Sequence, residues 1–183
     1  MVVVTSADQL SGCSHLVLPG VGAFSSAVKR LREMELFESL RQHLVALDRP
    51  FLGICVGMQL LAEGGTEHVE TQGLGITDGR VERFDFTGLE HSPRLPHMGW
   101  NDVDFPENSV LFRGVDREER SFYFVHSYHL LSKAEDACFT YCEHGYRFIA
   151  AIEQGSVFGV QFHPEKSQHN GNRVIANFLN IPG

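Results

Sequence analysis

The stretch Gly53-Ile54-Cys55-Val56-Gly57-Met58-Gln59-Leu60-Leu61 sets a cysteine between two glycines, directly after the apolar run Pro50-Phe51-Leu52. Phe51–Ile54 is compact and free of charge, the pattern of a strand buried on both faces, and Val56–Ala62 reads as a helix. A strand, then Gly-x-Cys-x-Gly, then a helix has the shape of a nucleophile elbow, a strained turn that presents a side chain above a sheet. Gly53 and Gly57 allow close backbone approach on both sides of the turn. The helix start near Val56 aims N–H groups and a positive dipole end at the sulfur, which lowers a thiol pKa. A plainer reading stands beside this one. Cysteine is among the most frequently buried residue types, and Cys55 is then a small core hydrophobe.

Outward from the elbow, short runs rich in Val, Ile and Phe alternate with helical patterns in the first half of the chain. Val2–Thr5 and Leu16–Leu18 read as strands. Phe24, Ala27, Val28 and Leu31 follow helical spacing, and Leu36, Phe37, Leu40 and Leu44 continue an apolar stripe. This alternation predicts an α/β fold with a central, mostly parallel sheet. The second half offers successive strands at Val81–Phe86, Asn101–Phe105, Phe122–His126, Phe139–Tyr141, Ile149–Glu153 and Val157–Phe162, an additional antiparallel region, with Gly155-Ser156 as a hairpin turn. Asn172–Leu179 closes the chain as a short helix.

Composition bounds the function. The 183 residues suit one domain with a substantial core, 43% of them hydrophobic and 21% charged. A net charge of −8 argues against nonspecific nucleic-acid binding. No apolar run approaches the roughly 20 residues of a membrane span, and the first residues lack a signal-peptide pattern, so the expectation is a cytoplasmic protein. Cys13, Cys55, Cys138 and Cys142 show no disulfide-framework spacing, which favours reduced thiols.

A cysteine nucleophile needs a base, and the base needs an orienting group. Gly159-Val160-Gln161-Phe162-His163-Pro164-Glu165 supplies both: a strand delivers His163 to its end, and an extended path through Pro164 puts Glu165 at the same edge. Leu18-Pro19-Gly20-Val21-Gly22 adds a Gly-rich turn whose N–H groups suit an oxyanion hole. Each of the two has a bland counterpart, an exposed loop histidine and an ordinary tight turn.

Gly53-x-Cys55-x-Gly57-x-Gln59, followed by Phe162-His163-Pro164-Glu165, resembles the class I (triad-type) glutamine amidotransferases. Pro96-His97-Met98-Gly99-Trp100-Asn101, Phe122-Tyr123-Phe124-Val125-His126-Ser127-Tyr128 and Pro19-Gly20-Val21-Gly22 narrow the resemblance to the glutaminase subunits of imidazole glycerol phosphate synthase. The resemblance implies a three-layer, flavodoxin-like fold over a single domain, 1–183. It implies Cys55 as nucleophile, His163 as acid and base, and Glu165 as its orienter. Gly20, Val21 and Gly22 match the oxyanion loop, with the Val56 N–H as partner donor. Gly57, Gln59, Glu67, Ser127 and Tyr128 match the glutamine-binding positions. Ammonia then passes to a separate (β/α)8 cyclase subunit, and Trp100, Tyr123 and Lys166 match positions at that interface. No metal or organic cofactor is required. Family members also carry a further strand, turn and helix, about 30 residues, ahead of the segment matching Val2–Thr5.

Other readings remain open. The same chemistry serves anthranilate, aminodeoxychorismate, guanine-nucleotide and pyridoxal phosphate synthesis. A catalytically impaired regulatory form is another. Cys138-x3-Cys142-x-His144 offers three zinc ligands where a structural site usually wants four. The elbow alone fits an α/β-hydrolase-like esterase, against which Gln59 and the Cys-to-His arrangement weigh. Trp100 and Tyr123 are open to core packing as much as to an interface.

Overall fold

A computed structural model describes residues 1–46 and 49–183. The chain runs β1 (Leu16–Gly20), α1 (Phe24–Glu33), α2 (Phe37–Ala46), β2 (Phe51–Cys55), α3 (Val56–Gln59), β3 (Gly64–Gly65) and β4 (Thr71–Gln72). It continues through β5 (Arg80–Arg83), β6 (His97–Asp104), β7 (Ser121–His126), β8 (Tyr128–Leu131), β9 (Cys138–His144), β10 (Tyr146–Gln154), β11 (Val157–Val160) and α4 (Gln168–Leu179). Short 3-10 turns cover Ala7–Gly12 and Pro164–Lys166.

A seven-stranded sheet has the order β1-β2-β11-β10-β9-β6-β7, and a four-stranded sheet the order β4-β3-β5-β8. β1, β2 and β11 are parallel neighbours, whereas β11 through β7 are joined by antiparallel pairings. This is the expected α/β architecture with its antiparallel extension. β2 sits between two parallel partners and is buried at every position, which is why its sequence is apolar without alternation. The register sets Gly20 opposite Cys55 and Val160 opposite Ile54, so three strands end at one level. The expected hairpin is present, with Gln154 facing Val157 and Gly155 at φ 58°.

Three readings are corrected. Val2–Thr5 forms no strand: no described strand lies beside it, Val2 and Val3 are 74% and 83% exposed, and only Val4 packs against the core. The helix after Cys55 stops at Gln59, because Leu60 and Leu61 turn the chain toward the second sheet. The last strand ends at Val160 rather than Phe162. The strand expected at Phe122–His126 is β7, whereas β8 was not expected from the sequence. The chain leaves β7 after His126, passes Ser127 and enters the second sheet at Tyr128. That crossing point becomes a wall of the site described below.

Phenylalanine dominates the packing near the strand ends. Phe122 and Phe162 lie 4.2 Å apart, Phe112 meets Phe122 edge-on at 5.6 Å, and Phe105 stacks on Phe112 at 4.9 Å. A buried carboxylate ties the 109–112 loop to this core. Glu153, on β10, accepts hydrogen bonds from Ser109 Oγ and from the N–H groups of Val110 (2.8 Å) and Leu111 (3.3 Å). Replacing it leaves three donors without an acceptor in a dry place. Glu153→Ala is expected to cost about 3 kcal/mol, read as a lower urea midpoint at unchanged slope. A loss under about 1 kcal/mol contradicts this role.

Candidate active site

β2 delivers Cys55 with φ 54° and ψ −111°, a backbone conformation that residues with a Cβ rarely hold without support. The support is steric. A Cβ on Gly57 would fall 1.9 Å from the Leu18 carbonyl oxygen, and one on Gly53 would fall 2.5 Å from that of Gly57. Bare glycine at both places lets the elbow press onto the end of β1, and the cysteine is held where an open turn would relax it.

β11 hands on to Gln161, Phe162 and His163. Phe162 is fully buried, which pins the backbone one residue before His163. The His163 N–H donates to the Tyr123 carbonyl (2.8 Å). Ser167, also buried, donates its hydroxyl to the His163 carbonyl (2.7 Å) and accepts from the Tyr123 N–H (3.0 Å). His163 Nδ1 lies 2.8 Å from Glu165 Oε1. A carboxylate only accepts, so Nδ1 carries the proton and Nε2 is the free nitrogen. Glu165 gets there differently from the sequence expectation: Pro164–Lys166 is a 3-10 turn, not an extended path.

Cys55 and His163 open onto one cavity of about 240 Å³. Val21, Gly22 and Val56 line it from the elbow side, and Gln59, Glu67, Ser127, Tyr128 and Lys166 from the others. Gly20 and Gly57 do not line it; they lie behind the elbow, Gly20 against Val56 and Gly57, where their part is to admit the backbone. Two of the lining groups are already engaged. Glu67 Oε2 accepts the Phe24 N–H (2.7 Å), capping α1, whose own N-cap Ala23 offers no side-chain acceptor. Gln59 spends both amide hydrogens on the Tyr128 carbonyl (3.0 Å) and Gln161 Oε1 (2.9 Å), so only its Oε1 remains for a ligand.

The sequence reading missed Gln161, whose Nε2 reaches Cys55 Sγ at 3.6 Å, although it sits inside the quoted Gly159–Glu165 segment. Val125 and His126 also line the cavity unannounced. Trp100, Tyr123 and Lys166 gather on one face beside it. Trp100 is 49% exposed, against the core-packing alternative, and meets Tyr123 edge-on at 6.1 Å, while Lys166 Nζ lies 5.7 Å from the Tyr123 ring centre. Cys138, Cys142 and His144 lie along β9. His144 Nε2 bonds the Arg94 carbonyl, and the described residues hold no group of three His, Cys, Asp or Glu side chains placed for a metal. Among the described residues, no helix is long and apolar enough to cross a membrane.

Electrostatics correct one expectation. Burial pushes the Cys55 thiol up to about 11, and the Glu165 and Glu67 carboxylates push the same way. The Val56 N–H and the Gln161 amide oppose this without overcoming it, and a four-residue α3 has little dipole to add. The resting group is a neutral thiol.

A family model for class I glutamine amidotransferases matches residues 5–181. The chain belongs to the class I glutamine amidotransferase family. Two relatives set the scale. The chain is 44% identical to the imidazole glycerol phosphate synthase subunit HisH of Bdellovibrio bacteriovorus, over 99% of its own length and 88% of that protein's. It is also 44% identical to the subunit of the same name from Sulfurimonas denitrificans, over 89% and 77%. A solved glutamine amidotransferase superposes with a TM-score of 0.68 at 22% identity, covering 96% of this chain and 82% of that one, a likeness of fold.

Site-resolved alkylation measures the resting thiol. The rate at Cys55 is expected to go on rising past pH 9.5, since thiolate accumulates only toward about 11. A plateau below pH 8 contradicts the burial account.

Proposed function

We propose that this chain is the glutaminase subunit of an imidazole glycerol phosphate synthase. The observation that carries the chemistry is the Cys55 elbow opening onto the same cavity as the His163–Glu165 pair. The synthase assignment is supported by the two HisH relatives, 44% identical over most of the chain.

In this reading residues 1–183 act as one amidotransferase domain. Glutamine enters the cavity with its α-groups toward Glu67, Gln59 Oε1 and the backbone of Ser127 and Tyr128. Cys55 Sγ attacks the side-chain amide carbon as His163 Nε2 takes the thiol proton. The amide oxygen, now negative, is met by N–H groups of Val56 and of the Gly20-Val21-Gly22 loop. His163 returns the proton to the departing ammonia, leaving a glutamyl thioester. Water activated by the same imidazole then releases glutamate. Glu165 holds the imidazole in the Nδ1–H tautomer throughout. No cofactor enters.

Ammonia is consumed by a cyclase subunit of (β/α)8 type that docks over the cavity mouth, with Trp100, Tyr123 and Lys166 in the interface. An exposed indole beside a tyrosine is the composition of a binding anchor. The place of action is the cytoplasm, with no nucleic acid or membrane as partner.

Glutamine hydrolysis, followed with and without the cyclase subunit and its ligand, tests the assignment. Cys55→Ala is expected to lower turnover by about a thousandfold or more in both conditions. Substantial activity in Cys55→Ala overturns the mechanism. Trp100→Ala is expected to weaken the complex by about 30-fold or more in Kd, the level of an interface hot spot. Unchanged affinity removes Trp100 from the interface.

A further inference from the structure

Four histidines, one from each of four strands, pack around Phe84 and Phe148 behind the cavity: His97 on β6, His126 on β7, His129 on β8 and His144 on β9. The mechanism above uses none of them. Two of them form a hydrogen-bonded chain whose direction can be read from both ends.

At one end Asn101 Nδ2 donates to the Glu143 carbonyl (2.8 Å), while its Oδ1 accepts the Asp102 N–H (2.9 Å), so the amide orientation is settled. The same Nδ2 therefore donates its other hydrogen to His97 Nε2 (3.1 Å). His97 then carries its proton on Nδ1 and donates to His126 Nε2 (3.1 Å). At the other end, His126 Nδ1 faces the Tyr128 carbonyl at 2.8 Å, an acceptor only, so Nδ1 must hold the proton. The two ends require the same pair of neutral Nδ1–H tautomers. At the Tyr128 carbonyl two donors converge, one from each side. Gln59 Nε2 donates to the Tyr128 carbonyl and to Gln161 Oε1, and Gln161 Nε2 donates to Cys55 Sγ.

We infer that His126, backed by His97, is a positioning residue of the glutamine pocket: its Nδ1–H, with the Gln59 amide, holds the Tyr128 carbonyl and so orients Gln59 and Gln161 against Cys55. This rests on the glutaminase reading of the same cavity. The Tyr128 carbonyl has two acceptor positions, and His126 and Gln59 fill both. Without the imidazole donor the carbonyl keeps one partner, at the point where the chain crosses between sheets with a single residue, Ser127, to fix its path. His126 lines the cavity but gives its Nδ1–H to the backbone, so its effect on substrate passes through Tyr128 and Gln59. The burial of His97, His126 and His129 lowers all three well below the ordinary histidine value, which keeps the relay uncharged near neutral pH. The hydrogen-bonded chain begins at Asn101, beside half-exposed Trp100 on β6, and reaches the cavity wall at His126 on β7.

Two measurements test this. Ring-nitrogen NMR on the unaltered protein at pH 7.5 is expected to find His97 and His126 neutral, each protonated on Nδ1. A proton on Nε2 of either ring, or a charged ring, overturns the relay. In kinetics, His126→Phe keeps a ring of similar size and loses the donor. It is expected to raise KM for glutamine by about 5- to 10-fold with kcat changed less than about threefold, since a ground-state contact is lost. His126→Asn places an amide N–H where Nδ1–H was and is expected to recover most of that loss. An unchanged KM in His126→Phe overturns the inference. So does an equal KM rise in both variants tracking an equal drop in melting temperature. Cys55→Ala assayed alongside separates the two levels: retained hydrolysis there defeats the glutaminase reading itself. Lost hydrolysis there with a normal His126→Phe defeats only the relay.

Discussion

The contact of the elbow with the end of β1 is the constraint on which the site depends. Cys55 occupies a backbone conformation with positive φ, and the Leu18 carbonyl occupies the space where a Cβ on Gly57 would be. The parallel register of β1, β2 and β11 then does the rest. Gly20 is set opposite Cys55 and Val160 opposite Ile54, so the Gly-rich loop, the thiol and the His163 segment leave their strands at one level. Ligand sites outside the carboxyl ends of parallel strands follow from this geometry. Here the antiparallel half of the sheet adds the opposite wall, through the β7-to-β8 crossing.

Placing the Cys55 thiol this deep has an electrostatic consequence. Burial holds the Cys55 thiol protonated and the histidines behind it uncharged. Glu67 and Glu165 both bear on the sulfur with negative charge. In the proposed mechanism the sulfur itself takes on charge only as His163 takes the thiol proton during attack. The hydrogen bond from Gln161 and the N–H of Val56 are the two groups that already favour the thiolate, and both approach the sulfur directly.

The elbow and the His163–Glu165 pair were legible in the sequence because they are local. An elbow needs glycines at fixed offsets, and a histidine two residues from its carboxylate partner needs only a short turn. Cys55, His163 and Glu165 could therefore be named from two short segments. The apolar run Phe51–Ile54 also read correctly as a doubly buried strand. What could not be read is what depends on distant pairing. Val2–Thr5 has strand composition, yet composition does not supply a neighbouring strand, and the segment stays unpaired. Gly57 and Gln59 fit the motif, but their parts emerge only from what lies across from them, the Leu18 carbonyl for one and Gln161 for the other. Gln161 itself has no distinguishing local pattern. His97, His126 and Asn101 look like separate motif residues until β6, β7 and β9 are laid side by side.

The central claim is that Cys55 forms a covalent bond to the glutamyl group of glutamine. Acid-quenched peptide mass spectrometry of the protein turning over glutamine with its cyclase subunit tests it most directly. The account predicts a glutamyl adduct on the peptide carrying Cys55 and on no other cysteine peptide. Ammonia release with no adduct on that peptide, or with the adduct on Cys13, Cys138 or Cys142, would contradict it.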